Sequence, residues 1–158
     1  MKILSTRTKL VIIAAAIVVI ILSTILISLK QENDVLSINL RGHGRLALHI
    51  HPNLQIEINS QQYVIQSNIG ISNEAMRVIH THDTTGELHV ESPVPHQFYL
   101  RDLFTIWEKR FDSSCIFDYC ANRTHELRMT VNGQPSDAFG SLPLRDTDNI
   151  KIIYSEKV

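Results

Sequence analysis

Between Leu46 and Ile58 apolar and polar residues alternate. Leu46, Leu48, Ile50, Leu54, Ile56 and Ile58 fall on one face, and Arg45, His49, His51, Gln55 and Glu57 on the other. A period of two is that of a half-buried strand, and Pro52, which cannot donate to a ladder, bends or interrupts it. Residues 59–62 read as a turn into a second strand at 63–66, and 68–71 as a loop. The stretch from His80 to Glu91 then shows two alternating runs flanking Asp83-Thr84-Thr85-Gly86, the signature of a β-hairpin. Beyond Pro93 and Pro95, the residues Leu100, Leu103, Phe104, Trp107 and Phe111 recur at three- and four-residue spacing, which predicts an amphipathic helix with a core-facing stripe. Residues 127–131 form a strand, Asn132-Gly133 a tight turn and 150–154 a last strand. Asp146-Thr147-Asp148 is a turn, lacking the remaining spacing of a calcium loop. This order predicts an α+β class, a single β-grasp-like domain in which a mixed or antiparallel sheet carries one amphipathic helix.

The hairpin sets the candidate chemistry. With Asp83 to Gly86 as a four-residue loop and Gly86 in the left-handed position, His82 faces Glu87, His80 faces His89, and Val78 faces Glu91. His80, His82, Glu87, His89 and Glu91 then share one face, and Ile79, Leu88 and Val90 the other. A turn with a bulge would instead pair His82 with Leu88 and move His89 away from His80. One residue of slip exchanges the faces, and the apolar pattern favours the first register. Opposed residues sit about 5 Å apart at Cβ, close enough for two imidazoles to meet on one ion.

From Leu10 through Leu29 the chain carries no charge, and twenty residues of helix span about 30 Å, the hydrocarbon thickness of a bilayer. Lys2, Arg7 and Lys9 precede this run, so the positive-inside rule places the N-terminus in the cytoplasm and the remainder outside. The expected layout is a cytoplasmic N-terminus and signal anchor over residues 1–30, a short stalk over 31–37 and an extracytoplasmic domain over 38–158. A cleaved signal peptide is the competing reading, opposed by the length of the run and by the lack of an Ala-x-Ala site near Leu29.

Four of the 15 basic residues lie in or next to that run, against 16 acidic residues all beyond it, so the rest is net acidic by about five charges. That balance argues against nucleic acid as a partner and mildly favours cations. The expected partners are the membrane and another membrane or extracytoplasmic protein. Cys115 and Cys120 would lie on the oxidising side, where a disulfide across so short a loop contributes about 2 kcal/mol.

His49-x-His51, Asn68-Ile69-Gly70-Ile71, His80-Thr81-His82-Asp83, His89-Val90-Glu91-Ser92 and Leu100-x-x-Leu103-Phe104-x-x-Trp107 together resemble an uncharacterised group of membrane-anchored or secreted archaeal and bacterial proteins. The resemblance implies fold and location rather than activity. Tyr99 stands where that pattern has a threonine able to cap the helix, and Asn53 where it has a further histidine. Val131-Asn132-Gly133 and the alternation from Leu144 to Ile152 are similar to the closing strands of β-grasp domains.

Two His-x-His pairs and a His-x-Glu pair, each at the spacing that keeps both members on one strand face, point to metal ligation. The preferred ligands are His80, His82 and His89, with Glu87 or Glu91 as carboxylate partners. His49 and His51 extend the site if their strand lies alongside, and Asp83 is expected to orient an imidazole nitrogen. Imidazole-rich sites outside the cytoplasm suit copper(II) or zinc; a copper(I) carrier would offer more thioethers than Met76 and Met129. His43, His96 and His125 fit no pair and read as surface residues. His80-x-His82-Asp83 is similar to part of the His-x-His-x-Asp-His motif of metallo-β-lactamase-like hydrolases, but Asp83 comes one residue early and no histidine follows it. The amidohydrolase His-x-His belongs to a barrel of about 250 residues, and the second cupin motif is missing. The sequence therefore leans away from an enzyme. It leaves a tethered metal-binding domain or, alternatively, an interaction module with a polar histidine face.

Overall fold

The structure, a computed structural model, describes residues 6–157, and along the first helix the side chains at 7, 10, 12–27, 35 and 36. The chain divides between Val35 and Leu36 into two compact units. The first is helix α1, Thr6–Leu36. Its large apolar side chains between Leu10 and Ile27 are from 49% to 67% exposed. The hydroxyls of Ser23 and Thr24 donate to the carbonyls of Ile20 and Ile21, so both are satisfied within the helix. Among the described residues no helix is long and apolar enough to cross a membrane. The segment read as a stalk continues as helix to Leu36.

The second unit is α+β. In chain order it comprises β1 (Leu48–Ile50), β2 (Asn53–Ile58), β3 (Gln61–Tyr63), β4 (Ile79–His80), β5 (His89–Ser92), α2 (Leu100–Ile106), β6 (Cys115–Ile116), β7 (Tyr119–Cys120), β8 (His125–Val131), β9 (Gln134–Pro135) and β10 (Asn149–Glu156), with 3-10 turns at Leu40–Gly42 and Phe139–Ser141. Five strands form a sheet in the order β3-β2-β10-β8-β9, in which β2 and β10 run parallel and the other pairs antiparallel. Three form a smaller antiparallel sheet in the order β1-β5-β4. Cys115 and Cys120 face each other across the β6–β7 pair and are joined by a disulfide.

The alternating segment from Leu46 to Ile58 divides between these two sheets at Pro52, as the missing amide hydrogen requires. One register nevertheless runs through the break. Leu48, His49 and Ile50 pair with Ser92, Glu91 and Val90; Leu88 donates to the Pro52 carbonyl; Asn53 bridges Glu87; and Leu54 donates to Gly86. The segment thus lies beside the second half of the hairpin along its whole length and stitches the sheets together. Leu54 and Ile56 face the core, with Met129, Ile150 and Ile152 of the neighbouring strands also buried.

Several local expectations change. The turn read at residues 59–62 is tighter, because Asn59 and Ser60 both take positive φ (50° and 65°) and Gln61 already pairs with Ile58; this two-residue turn matches the twist of its strands. The helix ends at Ile106 and not near Phe111. Glu108 turns left-handed (φ 56°), and Phe111 returns to stack on Phe104 at 4.3 Å. Tyr99 cannot cap as a threonine would, and the Asp102 carboxylate instead accepts the Tyr99 amide at 2.7 Å from inside the first turn.

Gly86 lies where the hairpin loop meets β2. Its φ is +87°, and a Cβ there would sit 2.2 Å from the Leu54 carbonyl oxygen. Gly86→Ala is therefore expected to destabilise the domain by on the order of 1–3 kcal/mol, through both backbone strain and overlap. Urea unfolding of the two chains measures the difference, and an unchanged midpoint would mean that the loop does not dock there.

Candidate metal centre

The small sheet places the histidines. β5 is its middle strand, so a residue of β5 has an opposite number on each side. His80 pairs with His89 across β4–β5. The β1–β5 register, carried one residue past Ile50, sets His51 opposite His89 from the other side. His51, His89 and His80 are thus consecutive in one row, with ring centroids 4.6 Å and 5.4 Å apart. The period of two adds His49 and Glu91 in the next row, which pair directly, and His82 and Glu87 on the other side. The opposite face of the same rows holds Ile79, Leu88 and Val90, all completely buried. Burial of that face is what commits the imidazoles to theirs.

The hairpin has the expected register at His80 and His89, and Gly86 is left-handed. Glu87 bridges Asn53. Between the two histidines, Thr81 points away from the cluster and is completely buried. Its amide donates to Ile69, its carbonyl accepts from Asn68, and its hydroxyl donates to Gln66 while accepting from Ile69. Loop 66–70 thereby grips the strand between His80 and His82 and fixes both side chains by alternation. Gly70 (φ +71°) makes this possible, since any Cβ would meet the Ile79 carbonyl oxygen at 2.4 Å.

His80 is the buried member, with no exposed surface. Its Nδ1 lies 2.9 Å from the carbonyl oxygen of Arg77. A carbonyl only accepts, so Nδ1 carries the proton, and Nε2 is left as a bare lone pair. That Nε2 is buried and has no hydrogen-bond partner. Two other buried atoms among the described residues share this condition, Nε2 of His96 and Nε1 of Trp107. Neither belongs to a cluster of ligating side chains, whereas His80 lies 4.9 Å from His82 and 5.4 Å from His89 by ring centroid. His96, read from sequence as a surface residue, is half-buried against Phe98 at 4.7 Å.

Two groups of three histidines could hold a metal ion, His80 with His82 and His89, and His49 with His51 and His89. In each, the ligating atoms lie within 4.8 Å of one another. Tetrahedral zinc with bonds of about 2.0–2.1 Å sets its nitrogens roughly 3.4 Å apart, a difference that exposed rings close by small rotations. His89 belongs to both groups. Glu87 Oε1 is 3.3 Å from its Nε2 and Glu91 Oε1 3.8 Å from its Nδ1. Glu91 also pairs with His49 Nε2 at 3.1 Å. The carboxylates beside imidazole nitrogens are thus Glu87 and Glu91. Asp83, expected in that role, is taken up by the loop, its Oδ1 accepting from the amide and hydroxyl of Thr85 at 2.8 Å and 2.6 Å. Those bonds hold its carboxyl below the usual range.

Comparison with family models, curated proteins and solved structures finds no match to this chain.

Burial pushes the His80 imidazole below its ordinary pKa, and burial together with the neighbouring His82 and His51 does the same to His89. The unfolded chain takes up these protons as pH falls through about 6.5, while the folded protein resists them until lower pH. In that window the unfolded state binds more protons, so stability is complete above it and declines as the solution is acidified through it. His80→Asn keeps an N–H for the Arg77 carbonyl but does not titrate. It is expected to flatten the fall in melting temperature below about pH 6.5. A slope identical to that of the unaltered protein would remove His80 as its source.

Proposed function

We propose that this chain is a membrane-tethered metal-binding protein whose extracytoplasmic domain holds, senses or delivers copper(II) or zinc through His80, His82 and His89. The observation that carries the reading is the buried, unpartnered Nε2 of His80. An unsatisfied buried polar atom costs about 1–3 kcal/mol. Native structures keep few of them without a reason. A polar face serving only for docking would leave such nitrogens in water or beside a charge partner, as His49 and His89 are beside their glutamates. His80 differs, because the Arg77 carbonyl holds its ring in one tautomer with the other nitrogen bare, in a ring 4.9 Å from that of His82 and 5.4 Å from that of His89, the second-nitrogen anchoring typical of a metal-bound histidine.

The donor set selects the class of ion. Neutral imidazoles with carboxylates close by suit zinc and copper(II), and at one site copper(II) binds the more tightly. The rigid floor is His80; His82 is exposed and His89 half-buried, so those two can adjust. The tether reading rests on the uncharged run from Leu10 to Leu29, where the described large apolar side chains are exposed and the Ser23 and Thr24 hydroxyls bond to main-chain carbonyls one turn back. A disulfide in the second unit accords with an oxidising compartment. The five-stranded sheet, with its first and last strands parallel at the centre, supports the β-grasp-like reading of the domain.

Equilibrium dialysis of the full chain in detergent micelles against copper(II) and zinc tests the proposal. Stoichiometric retention at micromolar concentration is expected, with its loss in His80→Ala/His82→Ala at unchanged circular dichroism. If the unaltered chain retains neither ion, the metal reading is wrong and a polar interaction face remains.

A further inference from the structure

The second histidine group is a separate problem. His49 is exposed and His51 half-buried, on a strand that the tight group does not use, yet the two join His89 within the same 4.8 Å limit. The two groups therefore differ in access and overlap in one residue. One lies at the surface and the other ends on a side chain with no exposed area.

We propose that His49, His51 and His89 form an outer site for the same ion, through which it reaches and leaves the inner site of His80, His82 and His89, with the shared His89 allowing only one of the two to be filled at a time. The inference rests on the inner group being a metal site.

The carboxylates around His89 give the exclusion its chemistry. An imidazole ligates through one nitrogen while the other keeps its proton, and that proton is held best by an acceptor. Glu87 stands beside Nε2 and Glu91 beside Nδ1. Whichever nitrogen takes the ion, a carboxylate oxygen lies within 3.8 Å of the other. Filling both sites would demand that His89 give up its second proton and bridge two dications, against carboxylates placed to retain that proton. His89 is thus suited to ligate one ion at a time through one nitrogen, with its other N–H retained.

The same geometry explains how an ion could move without being released. The His51 and His82 rings lie 4.6 Å and 4.5 Å from His89, edge to face in both cases. An ion held by His89 can exchange His49 and His51 for His82 and His80 by stepwise ligand substitution. Glu91 Oε1 lies 3.1 Å from Nε2 of His49, the outermost ring and the one first met by an arriving ion.

Stopped-flow transfer of copper(II) between a chromogenic chelator and the full chain in detergent micelles tests this, with the unaltered protein, His49→Gln/His51→Gln and His80→Ala/His82→Ala. Removing a relay alters a barrier but not the end states. The His49→Gln/His51→Gln variant is therefore expected to take up and release the ion about tenfold more slowly in both directions, with Kd and stoichiometry unchanged. The His80→Ala/His82→Ala variant should retain a weak, rapidly exchanging site that disappears when His89→Gln is added. Unchanged rates in His49→Gln/His51→Gln would overturn the relay. Two ions held with comparable affinity by the unaltered chain would overturn the exclusion. Either result leaves the inner site intact, whereas failure of the unaltered chain to take up copper(II) at all would remove both.

Discussion

The small sheet depends on one constraint, the antiparallel register of β5 between two neighbours. Once His89 is opposed by His80 on one side and His51 on the other, the two-residue period assigns every remaining side chain to a face. Val90, Ile79 and Leu88 are then driven inward by burial, and five imidazoles and two carboxylates are left together. A slip by one residue would bury Glu91 and expose Val90, so the hydrophobic core beneath the sheet stabilises the histidine cluster above it. The same register extends past Pro52 to Gly86 and ties the cluster to the larger sheet.

Within that framework the histidines are not equivalent. His80 is desolvated, fixed by the Arg77 carbonyl and braced through Thr81 by loop 66–70, and it gains nothing from water. His49 and His82 are exposed and adaptable. A cluster graded from fixed and dry to exposed and wet is what a site needs if it is to hold an ion and also exchange it. The bare lone pair of His80 is unfavourable for folding on its own. That cost is intelligible if a metal bond offsets it, since a ligand that binds only the folded state adds its binding free energy to stability.

Much of this was legible from the residue pattern. Strict alternation on both sides of Asp-Thr-Thr-Gly implied the His80–His89 pairing and the left-handed Gly86. Asn132-Gly133 forms the expected turn, with φ of 52° and 78°, and the two cysteines are bonded. What stayed hidden were relations that no local period encodes. Pro52 marked a break, but nothing in the alternation shows that Leu48 and Leu54 serve different sheets or that His51 lies opposite His89. The early end of α2 arises from Glu108 turning left-handed so that Phe111 can stack back on Phe104, a tertiary preference overriding helical spacing. Asp83 was a reasonable carboxylate by composition, yet Thr85 two residues on captures it locally, as short acidic side chains in turns tend to be. The orienting acceptor of His80 is a main-chain carbonyl, and the identity of residue 77 gives no sign of that role.

The central claim is that Nε2 of His80 is a metal ligand within a converging set of imidazoles. Anomalous diffraction from crystals grown with zinc tests it most directly. The account requires a peak bonded to His80 Nε2 at about 2.0–2.1 Å, with His82 and His89 completing the nitrogen set. A zinc peak found only elsewhere on the molecule, or none beside a His80 ring still holding the Arg77 carbonyl, would contradict it.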